Sequence, residues 1–373
     1  MIMSEIRYGI IGSGMMGQEH IRNINLIDGA RVTAVSDPDR DMRDRAQALA
    51  GSGCRAFDRH QDLLSQDLCD ALVIAAPNHL HHPILMDVLP ANLPVLAEKP
   101  LCTTLADCEE VLAAAARRSA PVWVAMEYRY MPPVERLLAA VGTGETGGVR
   151  MVSIREHRFP FLPKVGNWNR FNAMTGGTLV EKCCHFFDLM RLITGAEACR
   201  VYASGAADVN FHDELHDGLR PDILDNAFVV IDFANGVRGM LELCMFAEGS
   251  RWQETITVIG DAAKAEARVP GPARFAPDQL ERHSEFVLSP RSTKLEQREV
   301  IHVDHSILAA GDHHGSTFFQ HQKFFAMVRD GGQPDVTLED GLKSVRIGLA
   351  AEQSARTGQA IVLEEAFDLK AAV

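Results

Sequence analysis

The chain has 373 residues, 46% hydrophobic and 23% charged, which is apolar material for two packed domains rather than a small stapled scaffold. Its formal net charge of −13, with arginines interleaved among acids, argues against a nucleic-acid partner, since phosphate binding needs a basic stripe. Eight cysteines without CxxC spacing, no apolar span of about 18 residues and no signal-peptide pattern lead to the expectation of a cytoplasmic protein with no membrane partner, acting on a small molecule.

In chain order, "IRYGIIG", "RVTAVSD", "DALVIAAP", "PVLAEKP" and "PVWVAMEY" read as strands, with helices expected near 15–25, 39–49, 79–88 and 103–118 between them. Strands apolar on both faces and separated by helices imply a parallel sheet covered on both sides, a doubly wound α/β domain. After about residue 147 the texture changes to longer runs, "VRMVSIREHRF", "CRVYASGA", "DNAFVVIDFANGVRGMLELCMF" and "ETITVIGDAAKAEARV". The third is broken by an Asn235-Gly236 turn, and strands following one another through tight turns signal antiparallel sheet. Residues 269–285 read as a surface loop. Helices are expected at 316–330 and 338–357, the latter capped by Thr337 with Asp340 answering it.

"YGIIGSGMMGQEH" places Gly12, Gly14 and Gly17 in GxGxxG spacing between the first strand and the first helix. In that setting Gly12 permits the tight turn, Gly14 the approach of a pyrophosphate and Gly17 the contact of helix with strand, while the helix N-terminus offers partial positive charge. The second strand ends in Asp37, twenty residues after Gly17, where a carboxylate accepts from the adenine ribose hydroxyls. Asp37 would repel a 2′-phosphate, so NAD is expected over NADP, although Arg40 offers a compensating charge.

A second cluster, "TGGTLVEKCCHFFDLM", crowds Glu181, Lys182, Cys183, Cys184, His185 and Asp188 into a short helical stretch. On a wheel over residues 179–193, Leu179, Cys183, Phe186, Phe187, Met190 and Ile193 share one side, and Glu181, Cys184, His185 and Asp188 the other. Adjacent cysteines about 100° apart do not meet one ion, and sequence neighbours on a helix do not face each other as nucleophile and base. Neither a metal site nor a cysteine nucleophile is therefore expected. Cys183 is assigned to the core and Cys184 to the cleft edge. "NHLHHP" and "HVDH" also lack a ligand set.

The segments "AAPNHLHHP", "LAEKPL" and "GGTLVEKCCHFFD", with GxGxxG at the start and "GLKSVRIGLAAEQSARTGQAIVL" at the end, resemble the glucose-fructose oxidoreductase / inositol dehydrogenase / MocA family over essentially the whole chain. The resemblance implies an N-terminal Rossmann domain over 1–130 and a C-terminal α+β domain over 131–373 with a large, mostly antiparallel open sheet. It allows the helix near 338–357 to pack back on the first domain. It implies an NAD(P)-dependent oxidoreductase of a sugar, inositol or related polyol, forming a homodimer or homotetramer through the open sheet. By position, the catalytic lysine falls on Lys99 and the catalytic histidine on His185. The motif acid falls on Glu181, where the family carries aspartate. Cofactor contacts extend to Met15, Met16, Ala76, Pro77, Asn78, His81, Glu98, Lys99 and Pro100. Glu127 of "MEYRY" stands where relatives often have an amide.

Oxidising a secondary alcohol requires a proton acceptor, and a histidine with an ordinary pKa of about 6.5 suits that better than a lysine near about 10.4. His185 is therefore expected as general base. Lys99 either stabilises the developing alkoxide or shares the proton, and Glu181 orients the imidazole or binds a neighbouring hydroxyl. Asp188 is expected near the substrate or behind the site. The segment "IREHRFPFLPKVGNWNRFN" offers Arg155, His157, Arg158, Lys164, Asn167, Trp168, Asn169 and Arg170. Of these, Arg155, His157, Trp168, Asn169 and Arg170 join Arg129, His313 and His314 as substrate candidates. Two alternatives stay open within the resemblance: an NAD-dependent glycosidase without net redox, and a catalytically silent sugar- or dinucleotide-sensing regulator.

Overall fold

The computed structural model describes residues 5–363. Its first sheet is parallel, in the order Arg55–Phe57, Ala30–Ser36, Ile6–Ile11, Ala71–Ile74, Val95–Ala97, Val122–Val124. The central strands are apolar on both faces because helices cover both. Tyr8, Ile10, Val35, Leu72, Val73 and Leu96 are fully buried. The chain winds outward from Ile6–Ile11 to one edge and then crosses to build the other. This leaves a crevice beyond the carboxyl ends of Ile6–Ile11 and Ala71–Ile74.

The second sheet has nine strands, in the order Gln297–Ile301, Ser284–Pro290, Ala263–Val269, Glu254–Gly260, Val149–His157, Arg238–Cys244, Asn226–Phe233, Ala198–Ala206, Ile361–Val362. Val149–His157 and Arg238–Cys244 pair in parallel, while the other neighbours are antiparallel. The Asn235-Gly236 turn forms as read, Gly236 taking a φ of +83° and the Asn235 side chain accepting from Val237 N at 3.2 Å. One face of this sheet carries the apolar layer of Val152, Ile154, Val201, Val229, Ile231, Leu241, Ile256 and Val258, packed under helices. The other face is open and exposes Met151, Tyr202, Phe228, Val230 and Met240.

Helix Leu338–Thr357 opens on the Thr337–Asp340 capping box. Its Gly341 lies where a Cβ would come within 3.1 Å of Leu101 and Val124, and its Gly348 where one would come within 2.8 Å of the Leu179 carbonyl. The helix therefore touches both sheets' territories.

Four strands escape the sequence reading: Arg55–Phe57, Ser284–Pro290, Gln297–Ile301 and the two-residue Ile361–Val362. The loop read over 269–285 gives way to strand at Ser284. The helix read as continuous over 179–193 is two, Thr178–Glu181 and Cys184–Thr194, with Lys182 and Cys183 in a turn between them.

Candidate active site

The glycine turn performs its three tasks separately. Gly12 has a φ of +92°, and a Cβ there would lie 2.5 Å from Ala76 N, so the turn can press against the neighbouring strand end. A Cβ on Gly17 would lie 2.1 Å from the Gly12 carbonyl oxygen, which is the helix-to-turn contact. Gly14 has no heavy atom within 4 Å of its Cβ position, leaving its face open to a ligand. Asp37 accepts from Ser13 N at 2.6 Å and Asp39 N at 2.8 Å, so it braces the loop as well as facing the crevice. Burial raises its pKa against those two backbone donors.

The crevice holds about 760 Å³ and is lined by Gly12, Gly14, Met15, Met16, Asp37, Ala76, Pro77, Asn78, His81, Glu98 and Lys99, closed from the second sheet's side by Lys164, Trp168 and Glu181. Gly17 lies beneath it, and Pro100 contributes a carbonyl that pairs with His81 Nδ1 at 2.7 Å. Among the described residues, the buried Ser13 Oγ and Asn78 Nδ2 have no partner, which suits donors meant for a dinucleotide's phosphate and ribose. Arg40, read as a possible counter-charge to Asp37, turns instead to Asp44 at 3.5 Å. Arg45 and Arg59 line the crevice in its place.

At the other end of the crevice, Lys99 Nζ donates to the Glu181 carbonyl at 3.1 Å. Burial opposes its charge, but Cys184, Glu98, Glu181 and Glu127 outweigh burial and raise its pKa, so Lys99 is an ammonium. Behind it Glu98 binds His20 Nε2 at 2.9 Å, and His20 Nδ1 meets His321 Nε2 at 2.8 Å. Burial opposes the Glu98 charge, but His20 and Lys99 bring its pKa down to about 2.

His185 is 2% exposed and stacks on Tyr128, ring centroids 4.1 Å apart and planes 7° from parallel. Burial first, then Lys99, Lys182 and His313, hold its pKa well below the ordinary value, so the imidazole is neutral. Its Nδ1 has no partner among the described residues. Glu181 does not orient this ring. Its Oε1 pairs with Lys164 Nζ at 3.4 Å, and its buried Oε2 is unpartnered among the described residues. The break at Lys182–Cys183 replaces the single polar stripe of the wheel, and Lys182 turns inward to Glu156 at 2.9 Å and to the Tyr128 hydroxyl. Cys183 fills the second core as read. Cys184 corrects the reading: it is fully buried in the apolar cluster of the first sheet, and burial pushes its thiol up to about 12.

The substrate candidates divide. Trp168 lines the crevice with Lys164 stacked 4.4 Å from its ring centroid, and His313 lies 6.1 Å from the Tyr128 ring. Burial opposes protonation of His313, but Glu127 and Glu19 raise its pKa to about 9. The others lie elsewhere. Arg129 grips Asp188 through two bonds of 2.6 Å and donates to the Asp335 carbonyl at 2.8 Å, so each is occupied by the other and neither lines the crevice. Arg155 and His157 point to the open face of the sheet, because in strand Val149–His157 it is Val152, Ile154 and Glu156 that alternate inward. There His157 pairs with Glu242 at 2.8 Å. Asn169 ties down the Leu162 carbonyl at 3.0 Å, and Arg170 binds Glu214 at 2.8 Å. His314 is buried with its Nε2 unpartnered among the described residues, and burial, with His283 adding to it, lowers its pKa to about 4. The sequence reading named Lys182 without a role and passed over Tyr128 and Glu19, whose partners lie far away in the chain.

Two family models match the chain: residues 6–126 fit the oxidoreductase family's NAD-binding Rossmann fold, and residues 139–363 fit its C-terminal alpha/beta domain. The chain belongs to the glucose-fructose oxidoreductase / inositol dehydrogenase / MocA family. It is an oxidoreductase of that family. Within the family, it is 25% identical over 361 residues to a myo-inositol 2-dehydrogenase of Thermotoga maritima, covering 96% of this chain and 99% of that one. It is 30% identical over 234 residues to an inositol 2-dehydrogenase of Corynebacterium glutamicum, covering 62% and 65% respectively. A levoglucosan dehydrogenase solved with NADH and levoglucosan shares the fold at a TM-score of 0.80 and 18% identity, over 97% of this chain and 100% of that one. No helix among the described residues is long and apolar enough to cross a membrane.

Proposed function

We propose that the protein oxidises a secondary hydroxyl of a sugar, inositol or related polyol, with NAD as hydride acceptor. The observation that carries the reading is a charged ammonium, Lys99, lining a dinucleotide crevice, with a buried, neutral imidazole, His185, close enough that Lys99 helps to depress its pKa. NAD supplies the carbon that accepts the hydride. Gly12, Ser13, Gly14 and Asn78 would hold it, and Asp37 favours it over NADP.

His185 takes the hydroxyl proton, which a neutral ring can do at neutral pH. Lys99, an ammonium, donates to the same oxygen and stabilises its growing negative charge rather than accepting the proton. The unpartnered Glu181 Oε2 is suited to accept from a second hydroxyl, with Lys164 holding the carboxylate in place. Trp168 offers a flat apolar surface to a ring's C–H face. The inositol dehydrogenases among the relatives support the polyol class. The apolar residues on the open sheet face support a homodimer or homotetramer joined there. The free state of all eight cysteines suits a reducing cytoplasm.

The test is a panel of sugars and inositols incubated with NAD and with NADP, following reduced cofactor. Net reduction with NAD and one polyol ranking above the rest in kcat/KM is expected. Aglycone release from glycosides without net reduction would replace the reading by NAD-dependent glycosidase chemistry, and no turnover across the panel would favour a silent sensor.

A further inference from the structure

We propose that Glu19, Glu127 and His313 form a binding site for one divalent transition-metal cation beside the reaction chamber. The three come from separate elements: helix Met15–Ile24, the turn Glu127–Tyr130 and the loop before helix Ser316–Asp330. One carboxylate oxygen from each glutamate and one ring nitrogen of His313 lie within 4.8 Å of one another. Glu19 is 3% exposed and Glu127 2%, so this is an interior cluster and not a solvated acidic patch.

The donors do not suffice for the acceptors. His313 Nδ1 carries at most one hydrogen, and its contact with Glu19 Oε1 at 2.9 Å uses it. Glu127 Oε1 faces the same nitrogen at 3.4 Å and receives no hydrogen bond among the described residues. Thr317 Oγ1, also with a single hydrogen, lies between Glu19 Oε1 at 3.0 Å and Glu127 Oε2. A cation at the centre, taking the place of the His313 Nδ1 hydrogen and releasing it as a proton, meets both carboxylates and the ring nitrogen at once. Thr317, in contact with Glu19 Oε1 and Glu127 Oε2, then helps to hold the two carboxylates in place, as an outer partner of metal ligands commonly does. Access runs past His313, whose side chain is 25% exposed.

One imidazole and two carboxylates suit Zn²⁺, Co²⁺ or Mn²⁺. The nitrogen disfavours Ca²⁺ and Mg²⁺, and the lack of sulfur disfavours Cu⁺. Three protein ligands leave further positions open to water or a hydroxyl. Cation binding at this site stands independently of the polyol reading, since it does not depend on turnover.

The experiment uses the full-length chain stripped with a chelator, then titrated with Zn²⁺ by calorimetry and with Co²⁺ by visible absorption. One equivalent per chain is expected, with a Co²⁺ spectrum of a four- or five-coordinate nitrogen–oxygen site. Glu127→Gln, close to isosteric, and Thr317→Val, which spares all three ligands, should each weaken Zn²⁺ binding by at least about 10- to 100-fold. His305→Ala, which removes an exposed imidazole paired with Glu281, should leave it unchanged. Binding far below one equivalent in the wild type, or Zn²⁺ affinity unaltered in both Glu127→Gln and Thr317→Val, would overturn the proposal.

Discussion

The glycine turn and the segment that carries His185 face each other across one crevice, yet they are built on opposite logic. The turn works through backbone: Gly12, Gly14 and Gly17 differ in what a side chain would strike, and no charge is needed beyond Asp37. The His185 segment works through buried charges that satisfy one another over long sequence distances. Lys182 meets Glu156, Arg129 meets Asp188, and Lys99 reaches the backbone of Glu181. A motif set in local backbone can be recognised from spacing alone. One set in long-range pairing offers residue types but hides which of them is free to act.

The largest expected effect lies on the paired side. His185→Ala should lower kcat by about 10²- to 10⁴-fold while NAD affinity, read by fluorescence quenching, stays put. Unchanged turnover on the identified substrate would remove His185 as base. Next, Arg129→Met leaves Asp188 buried and without its bidentate partner. It should cost about 3–5 kcal/mol of stability, visible as a lower denaturation midpoint, and a loss confined to KM would return Arg129 to the substrate site. On the backbone side, Gly12→Ala meets both a φ of +92° and a 2.5 Å approach to Ala76 N. A strain of about 1–3 kcal/mol should weaken NAD binding by roughly one to two orders of magnitude, measured by calorimetry.

Acidity discriminates more gently. Because the His185 pKa is lowered by burial and by Lys99, Lys182 and His313, its basic form persists as pH falls through the ordinary histidine value. The acid limb of kcat/KM should therefore lie below about pH 6.5, and a limb above that value would mean another base. The smallest effect belongs to Arg155→Ala. On the sheet face opposite the core and absent from the crevice lining, it should leave kcat and KM within about twofold.

Much of the fold was legible because its signals are local. The central parallel strands are mostly apolar, Asn235-Gly236 turns as its residues demand, and Thr337 with Asp340 caps the last long helix. The elements that escaped did so for equally physical causes. Arg55–Phe57 is a three-residue edge strand, Ser284–Leu288 is buried without the alternation that marks a half-covered strand, and Gln297–Ile301 is an exposed polar edge. For the site, Lys99 and His185 could be named from motif and resemblance, whereas the positions of their neighbours could not. Treating 179–193 as one wheel put Cys184 at the cleft, but the turn at Lys182–Cys183 re-aims helix Cys184–Thr194 and buries that thiol. Arg155 and His157 were readable as outward-facing from the period of their own strand, Val152 and Ile154 being the inward pair. Glu19, Tyr128 and His313 meet only after the chain has closed on itself.

Helix Leu338–Thr357 bears on how the chain is made. Its Gly341 sits on Leu101 and Val124 of the first half, and its Gly348 on the backbone at Leu179–Val180 of the second. Both halves are thus sealed by a segment that is synthesised after both of them. Until it arrives, each nascent half presents an apolar seam, and a fragment ending before residue 338 is expected to need a chaperone or to aggregate.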